Sequence, residues 1–204
     1  MAVSRGFTLI ELLISAAIIT VISAIVLVRF TSFDGTVLVK SLAYEVAAGV
    51  REAQIYSVSV VNASASDPNF RYPYGVTFTP DATSYTLFRF NNASTAVTPY
   101  YDTNALPLKV IAFNGSMKIT DVCITDSVGD KCFRQVSGGI TRLDISFRRP
   151  EFGALFNAPG SSGAISEGRI KICSTRSTAN VWIVKVTLLG QITVYKDTSA
   201  ATCE

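Results

Sequence analysis

Histidine is absent from the 204 residues of this chain, and charged residues make up only 16% of it. Without an imidazole, the chain has neither a histidine metal ligand nor a triad or dyad that uses a histidine base. The formal net charge of +3 is too small to indicate a polyanionic partner. We recognise no nucleophile–base arrangement, metal-binding cluster or phosphate-binding loop. We therefore predict no catalytic residues, no metal and no cofactor.

The four cysteines contain no C-x-x-C pair, which argues against a zinc knuckle and against a thioredoxin-like redox motif. An even number of cysteines behind an N-terminal apolar segment is typical of an exported domain with two disulfides. Three pairings are possible. We predict Cys123–Cys132 and Cys173–Cys203, because each pair closes a local loop. Four reduced, buried thiols are the alternative.

The longest apolar run extends from Leu9 to Val28 and contains sixteen apolar residues among twenty. As a helix it is about 30 Å long, which matches the hydrocarbon core of a bilayer. It is too long for the core of a secretory signal peptide, and Glu11 lies where such a core would begin. The run therefore predicts a membrane-spanning helix.

Glu11 is the only acidic residue of this run. A charged side chain inside the bilayer costs roughly 2.5–3.5 kcal/mol. A cation at about 4 Å returns about 4 kcal/mol at an effective dielectric constant of 20. The next cation along the chain is Arg29, about five helical turns away. We therefore expect the partner of Glu11 to be the N-terminus of the chain or another molecule.

The segment from Gly6 to Ile14, GFTLIELLI, resembles the processing motif of type IV prepilins and type II secretion pseudopilins. A short leader with a basic residue, Arg5, precedes it. The resemblance implies that a membrane prepilin peptidase cuts between Gly6 and Phe7 and methylates the new amine of Phe7. It also implies that Glu11 accepts the Phe7 amine of a neighbouring subunit during assembly. A signal-anchor with an incidental acid is the alternative.

One long helix is predicted behind the cleavage point, because no proline interrupts residues 7–61. Leu38, Leu42, Val46 and Val50 predict an amphipathic second half from about residue 36 to 58, with a possible kink near Gly35. The predicted divisions are a leader (1–6), a membrane or filament-core helix (7–33), the amphipathic half (34–61) and a β-rich head (62–204).

Strand-like runs fill the head, and their number and order predict an α+β fold: a pilin-like ladle in which the helix packs on antiparallel strands. Turn residues at 80–83 and at Asn114-Gly115 predict two hairpins. Residues 92–104 and 151–167 are predicted to be long loops. The predicted strands are 74–79, 85–90, 108–113, 117–124, 141–148, 169–173, 181–188 and 191–195.

The closing segment from Trp182 to Tyr195 and the helix segment from Leu42 to Ala53 resemble the minor pseudopilin H and fimbrial T-like branch of this family. The resemblance implies a structural minor subunit of a type IV pilus or a type II secretion pseudopilus. It implies a single-pass protein of the bacterial inner membrane whose head lies outside the cytoplasm, and later a periplasmic or extracellular filament. The implied partners are other subunits, the prepilin peptidase and the inner-membrane assembly platform. A major pilin is an alternative.

Two further surfaces of the head allow alternative functions. Asp121, Asp126 and Asp130 form an acidic stretch that could hold calcium, although we prefer a solvated turn. Basic residues could bind DNA during uptake, but the tail at 190–193 lacks the Gly-Arg-x-Arg pattern of DNA-binding relatives, so we prefer scattered surface charge. These basic residues are Arg142, Arg148, Arg149, Arg169, Lys171 and Arg176.

A membrane-anchored enzyme is a further alternative function.

Overall fold

The computed structural model describes residues 7–59, 72–90, 100–102, 105–135, 139–148, 152–175 and 177–198, with the backbone alone at 28–34 and 177–179. This part of the chain forms one helix followed by ten strands, which confirms the predicted α+β class. The elements are α1 (Leu9–Val58), β1 (Tyr74–Phe78), β2 (Ser84–Phe90), β3 (Ala105–Ala112), β4 (Met117–Asp126), β5 (Gly129–Cys132), β6 (Leu143–Phe147), β7 (Ala154–Asn157), β8 (Ile165–Ser174), β9 (Ser177–Thr187) and β10 (Ile192–Lys196).

Helix α1 is continuous over 50 residues and passes through Gly35 without a break. At 1.5 Å per residue it is about 75 Å long. Thr8 caps its first turn. At the other end, the backbone N–H and the hydroxyl of Ser59 both donate to the carbonyl of Ile55, at 2.8 Å each. The predicted single helix is therefore present, whereas the domain boundaries at 33 and 61 stay predictions.

The buried face of α1 differs from the prediction at its first position. Val39 is fully buried, whereas Leu38 is 47% exposed. Each residue turns the helix by about 100°, so side chains spaced strictly four residues apart shift around the helix axis by about 40° per step and leave the buried face. Mixed spacings of three and four residues keep a side chain on one face, and the buried set follows them: Val39, Leu42, Ala43, Val46, Val50, Ala53, Gln54 and Ser57.

The strands form two antiparallel five-stranded sheets. The first sheet has the order β3-β2-β1-β6-β7, and the second has the order β10-β9-β8-β4-β5. Helix α1 contacts β1 and β6 of the first sheet and β8, β9 and β10 of the second. The main core therefore lies where the helix meets both sheets, and it includes Val46, Val76, Ile145, Ile170 and Val184.

The predicted hairpin at Asn114-Gly115 is wrong. Strand β3 belongs to the first sheet and β4 to the second, so these residues carry the chain from one sheet to the other. Gly115 does adopt the left-handed conformation that the dipeptide favours, with φ 66°. A turn signal is local, however, whereas the pairing of β4 is decided by the apolar face that it buries against the core.

The predicted long loop at 151–167 is also wrong, because it contains β7 and the start of β8. Strand β7 has only four residues and pairs with β6, for example Ile145 with Phe156. Strands β5 and β7 were not among the eight predicted strands, so the described residues contain ten strands rather than eight. Such short strands carry too little periodicity to be recognised without their partners. Most of the other predicted loop, 92–104, lies outside the described residues.

Candidate assembly site

The first turn of α1 is organised by Thr8 and Glu11. The hydroxyl of Thr8 donates to Glu11 Oε2 at 3.0 Å, and the backbone N–H of Thr8 donates to the same oxygen at 3.2 Å. In return, the backbone N–H of Glu11 donates to Thr8 Oγ1 at 3.4 Å. This reciprocal arrangement is a capping box, which satisfies helix-end donors and places a carboxylate at the positive end of the helix dipole.

The carboxylate of Glu11 keeps one acceptor oxygen available. Within the residues that the structure describes, the hydrogen bonds to this side chain come from Thr8, and both end on Oε2. An ionised carboxylate has about four acceptor positions. Oε1 is therefore positioned to accept a donor from outside the described part of the chain.

The side chains that follow Glu11 are apolar and exposed. The stretch Leu9–Leu27 is long and apolar enough to cross a membrane, and none of it is buried within the chain. Phe7, which precedes the helix, is 79% exposed. Soluble monomers rarely expose a continuous apolar surface of this size. The segment therefore needs lipid or other protein surfaces around it.

The predicted processing residues are only partly within the described structure. Phe7 and Glu11 are described: Phe7 immediately precedes the N-cap residue Thr8, and Glu11 lies in the first turn of α1. Gly6 and the leader lie outside the described residues. Cleavage between Gly6 and Phe7, methylation of Phe7 and the assembly role of Glu11 stay predictions.

Thr8 is a contributor that the sequence reasoning missed. The expected partner of Glu11 was the N-terminus of the chain or another molecule, whereas the structure also supplies the hydroxyl and the backbone N–H of Thr8. The sequence signal was present, because Thr8-Leu9-Ile10-Glu11 has the S/T-x-x-E spacing of a capping box. This local partner orients the carboxylate without neutralising its charge.

The predicted disulfide Cys123–Cys132 is confirmed. Its cysteines lie directly opposite each other on β4 and β5. The disulfide therefore links the two strands of a hairpin whose turn joins Asp126 to Gly129. Cys173 is buried on β8. Its predicted partner, Cys203, lies outside the described residues, and that pairing stays a prediction.

The aspartates of the acidic stretch have separate partners. Lys131 Nζ lies 3.1 Å from Asp126 Oδ2, and the backbone N–H of Val128 donates to Asp126 Oδ1 at 2.8 Å. This backbone bond is the main cause of the lowered pKa of Asp126. Asp126 and Asp121 are buried, so the preferred reading of all three as a solvated turn is wrong for these two.

Asp130, at the same hairpin, has different partners. It accepts a 2.6 Å hydrogen bond from the hydroxyl of Thr125 and pairs with Arg169 at 2.7 Å. The hydrogen bond from Thr125, followed by that from Arg169, lowers its pKa. The described contacts therefore use Asp126 and Asp130 to close and brace a turn.

One group of metal-ligating atoms occurs in the described residues, formed by Asp121, Cys123 and Cys132. Because the two sulfurs are bonded to each other, neither is a thiolate ligand. The arrangement in this oxidised state therefore offers a metal one carboxylate.

Among the basic residues considered for DNA binding, Arg142, Arg169 and Lys171 have acidic partners and are distributed over both sheets, whereas Arg148 is exposed. Arg142 precedes β6 of the first sheet and pairs with Asp144 at 2.9 Å. Arg169 and Lys171 lie on β8 of the second sheet, and Arg169 pairs with both Asp130 and Glu167. Arg149 and Arg176 lie outside the described residues. These ion pairs reduce the positive charge that a phosphate backbone would meet.

Residues 1–27 match a family profile described as the prokaryotic N-terminal methylation motif. No curated protein matches the chain. No solved structure matches it either. Together with the exposed apolar helix, the motif supports the type IV pilin and pseudopilin family and a membrane-anchored chain with a C-terminal head. The motif implies processing by a prepilin peptidase and assembly with other pilin subunits.

Proposed function

We propose that this chain is a structural minor pilin or pseudopilin subunit of a type IV pilus or a type II secretion pseudopilus. The observation that carries the proposal is the geometry of Glu11: a carboxylate held by Thr8 through one oxygen, with the other available, at the start of an exposed apolar helix. The motif match at residues 1–27 supports the same reading.

The energetic reason for assembly lies in the environment of this carboxylate. A charged side chain in the bilayer costs roughly 2.5–3.5 kcal/mol. The two hydrogen bonds from Thr8 lower this cost but leave the charge uncompensated. The α-amine of a processed Phe7 on a neighbouring subunit would supply the opposite charge to Oε1. The subunit therefore docks where the N-terminus of a partner is available. Docking forms an ion pair but makes or breaks no covalent bond.

The proposed sequence of events starts in the bacterial inner membrane, with the head outside the cytoplasm. The prepilin peptidase removes residues 1–6 and methylates Phe7. An assembly platform then moves the helix out of the bilayer into a periplasmic or extracellular filament. A minor position at or near the tip is proposed from the likeness to the minor pseudopilin H and fimbrial T-like branch.

Mass spectrometry of native material and one pair of variants test this function. We expect the mature chain to begin with N-methylated Phe7. We expect Glu11→Ala to be cleaved normally but to fall at least about tenfold in the sheared filament fraction, because about 1.4 kcal/mol of lost pairing is a factor of ten. Glu45→Ala removes an exposed acid from the same helix and should assemble like the wild type.

Either of two outcomes would refute the proposal. One is a native chain that retains Met1 to Gly6, because no free Phe7 amine would then exist. The other is an assembly level for Glu11→Ala equal to that of Glu45→Ala. Quantitative mass spectrometry of the filament separates a minor subunit from a major one by its abundance.

A further inference from the structure

Asp121 is a buried carboxyl group whose environment the structural role of the head does not explain. The residue is only 6% exposed, and its Oδ1 has no hydrogen-bond partner among the described residues. A buried polar atom without a partner costs about 1–3 kcal/mol, and more if it is charged. A feature with such a cost needs a compensating use.

The disulfide lies close to this carboxyl. Asp121 Oδ2 lies 3.7 Å from the Sγ of Cys123. Asp121 and Cys123 are two residues apart on β4, so their side chains project from the same face of the strand. In the oxidised state the sulfur carries no hydrogen to donate. In the reduced state, the Cys123 thiol would lie within hydrogen-bonding distance for sulfur.

The two cysteines of the disulfide differ in exposure. Cys123 is 1% exposed, whereas Cys132 on the edge strand β5 is half-buried. We therefore expect an attacking thiolate to reach the sulfur of Cys132, which makes Cys123 the leaving group. The rate of thiol–disulfide exchange depends on which sulfur is attacked and on the stability of the leaving thiol.

We propose that the Cys123–Cys132 disulfide is a thiol–disulfide exchange site for a dithiol reductant, with Asp121 as the proton donor to the leaving Cys123 sulfur. The inference goes beyond the proposed function and does not depend on it. A dithiol oxidoreductase is the class of partner that would supply the electrons.

The exchange balances in two steps. A thiolate of the reductant attacks Cys132 Sγ, which forms a mixed disulfide and breaks the Cys132–Cys123 bond, and the leaving Cys123 sulfur takes the proton of Asp121. The second thiol of the reductant loses its proton to solvent and attacks the sulfur that the reductant contributes to the mixed disulfide. This step releases Cys132 as a thiolate, which takes a proton from water. The protein disulfide gains two electrons, and the dithiol becomes a disulfide.

Charged groups surround this carboxyl from each element packed against it. Lys171 of β8 lies opposite Asp121 in register, Arg169 lies opposite Cys123, and Arg134 follows β5. Burial is the main influence and raises the pKa of Asp121, while the charge of Lys171, the backbone N–H groups of Arg134 and Val122, and the charge of Arg134 oppose it. Arg169 is itself paired with Asp130 and Glu167. Protonated Asp121 therefore persists to higher pH than an exposed aspartic acid.

Reduction kinetics of the full chain in detergent test the proton donor. Dithiothreitol reduces the protein between pH 5 and 9, the thiols are alkylated, and peptides containing Cys123 and Cys132 are quantified so that other cysteines do not contribute. Each rate is divided by the concentration of dithiothreitol thiolate. We expect this normalised rate to fall as pH rises and Asp121 ionises.

Asp121→Asn should slow the normalised rate at least about tenfold at the low-pH end and flatten its pH dependence, because an amide donates no proton. Glu45→Gln removes an exposed carboxylate from α1 and should keep the wild-type profile. Identical profiles for wild type and Asp121→Asn would overturn the assignment of the donor.

A second measurement does not depend on the folding of any variant. The wild-type chain is incubated with the monothiol glutathione, and the mixed disulfide is located by mass spectrometry. We expect glutathione on Cys132. Glutathione on Cys123, or reduction that occurs only at the rate of global unfolding, would refute the exchange site.

Discussion

The hydroxyl of Thr77 on β1 donates a 2.7 Å hydrogen bond to Oδ1 of Asp144 on β6, its direct neighbour in the first sheet. Asp144 has no exposed side-chain surface. Its other oxygen accepts from Arg142 Nη2 at 3.0 Å, Asn157 Nδ2 at 2.9 Å and the backbone N–H of Tyr101 at 3.2 Å. This saturated carboxylate joins β1, β6, β7 and the segment before β3.

Replacing Asp144 with alanine should lower the free energy of unfolding by about 3–5 kcal/mol, because Arg142 would lose its partner and several buried donors would be unsatisfied. Chemical denaturation followed by the fluorescence of Trp182 measures this change. Asp130→Ala removes an aspartate whose side chain is 58% exposed, and it should cost less than about 1 kcal/mol. Equal effects of the two substitutions would contradict the central role of Asp144.

The register of the buried helix face gives a second prediction. Val39→Ala should destabilise the chain by about 1–3 kcal/mol, because it removes two buried methyl groups and leaves a cavity. Leu38→Ala removes more apolar volume but from an exposed side chain, so its effect should stay within about 0.5 kcal/mol. The same denaturation experiment compares them, and a larger loss for Leu38→Ala would restore the four-residue spacing read from the sequence.

Because the hydroxyl of Tyr85 is buried, we expect the free energy of unfolding to fall at high pH. Burial, assisted by the charges of Glu45 and Glu52, raises the pKa of its hydroxyl to about 12 from 10.0. Between these two values the unfolded chain releases the proton and the folded chain keeps it. Stability therefore falls with rising pH across this window, with a limiting slope of about 1.4 kcal/mol per pH unit.

Unfolding of Tyr85→Phe between pH 9 and 12 checks this contribution. The variant should lose less stability across the window than the wild type, since phenylalanine has no proton to release. Tyr44→Phe serves as the control, because the ring of Tyr44 is 53% exposed. Parallel curves for wild type and Tyr85→Phe would show that Tyr85 does not contribute.

The capping box gives a prediction for the first turn of α1. Thr8→Ala should weaken the helix start by about 1 kcal/mol, which is a factor of about five in the opening equilibrium of the first-turn amides. Hydrogen exchange of the full chain in detergent measures it. Thr8→Ser keeps the hydroxyl and should retain protection. Thr20→Ala, which removes only a hydroxyl bonded to Ala16 within the helix, should leave the first turn unchanged.

Local signals in the sequence predicted local features. The prepilin motif, the apolar run and the hairpin of β1 and β2 each depend on neighbouring residues, and the turn between these strands holds Asp81 at φ 56°. The disulfide Cys123–Cys132 was predictable for the same reason, because it closes a short loop. Asn114-Gly115 shows the limit of such signals, since Gly115 adopts the left-handed conformation typical of hairpin turns and yet the chain crosses between sheets there.

The network of Asp144 was not predictable from its position between Leu143 and Ile145. Alternation marks it as a polar residue facing solvent, but β6 is paired on both edges and all five of its residues are buried. Its partners Thr77 and Tyr101 lie 67 and 43 residues away in the sequence. Only the three-dimensional arrangement of the strands shows that these donors and the carboxylate of Asp144 satisfy one another's hydrogen bonds.

The unbroken course of α1 has a mechanical consequence. One continuous α-helix connects the apolar N-terminal segment to Val39, Val46 and Ala53 in the core of the head. A rigid α1 that is withdrawn from lipid by one helical turn advances the head by about 5.4 Å along its axis. The packing around those three side chains must consequently resist whatever pull extracts the subunit.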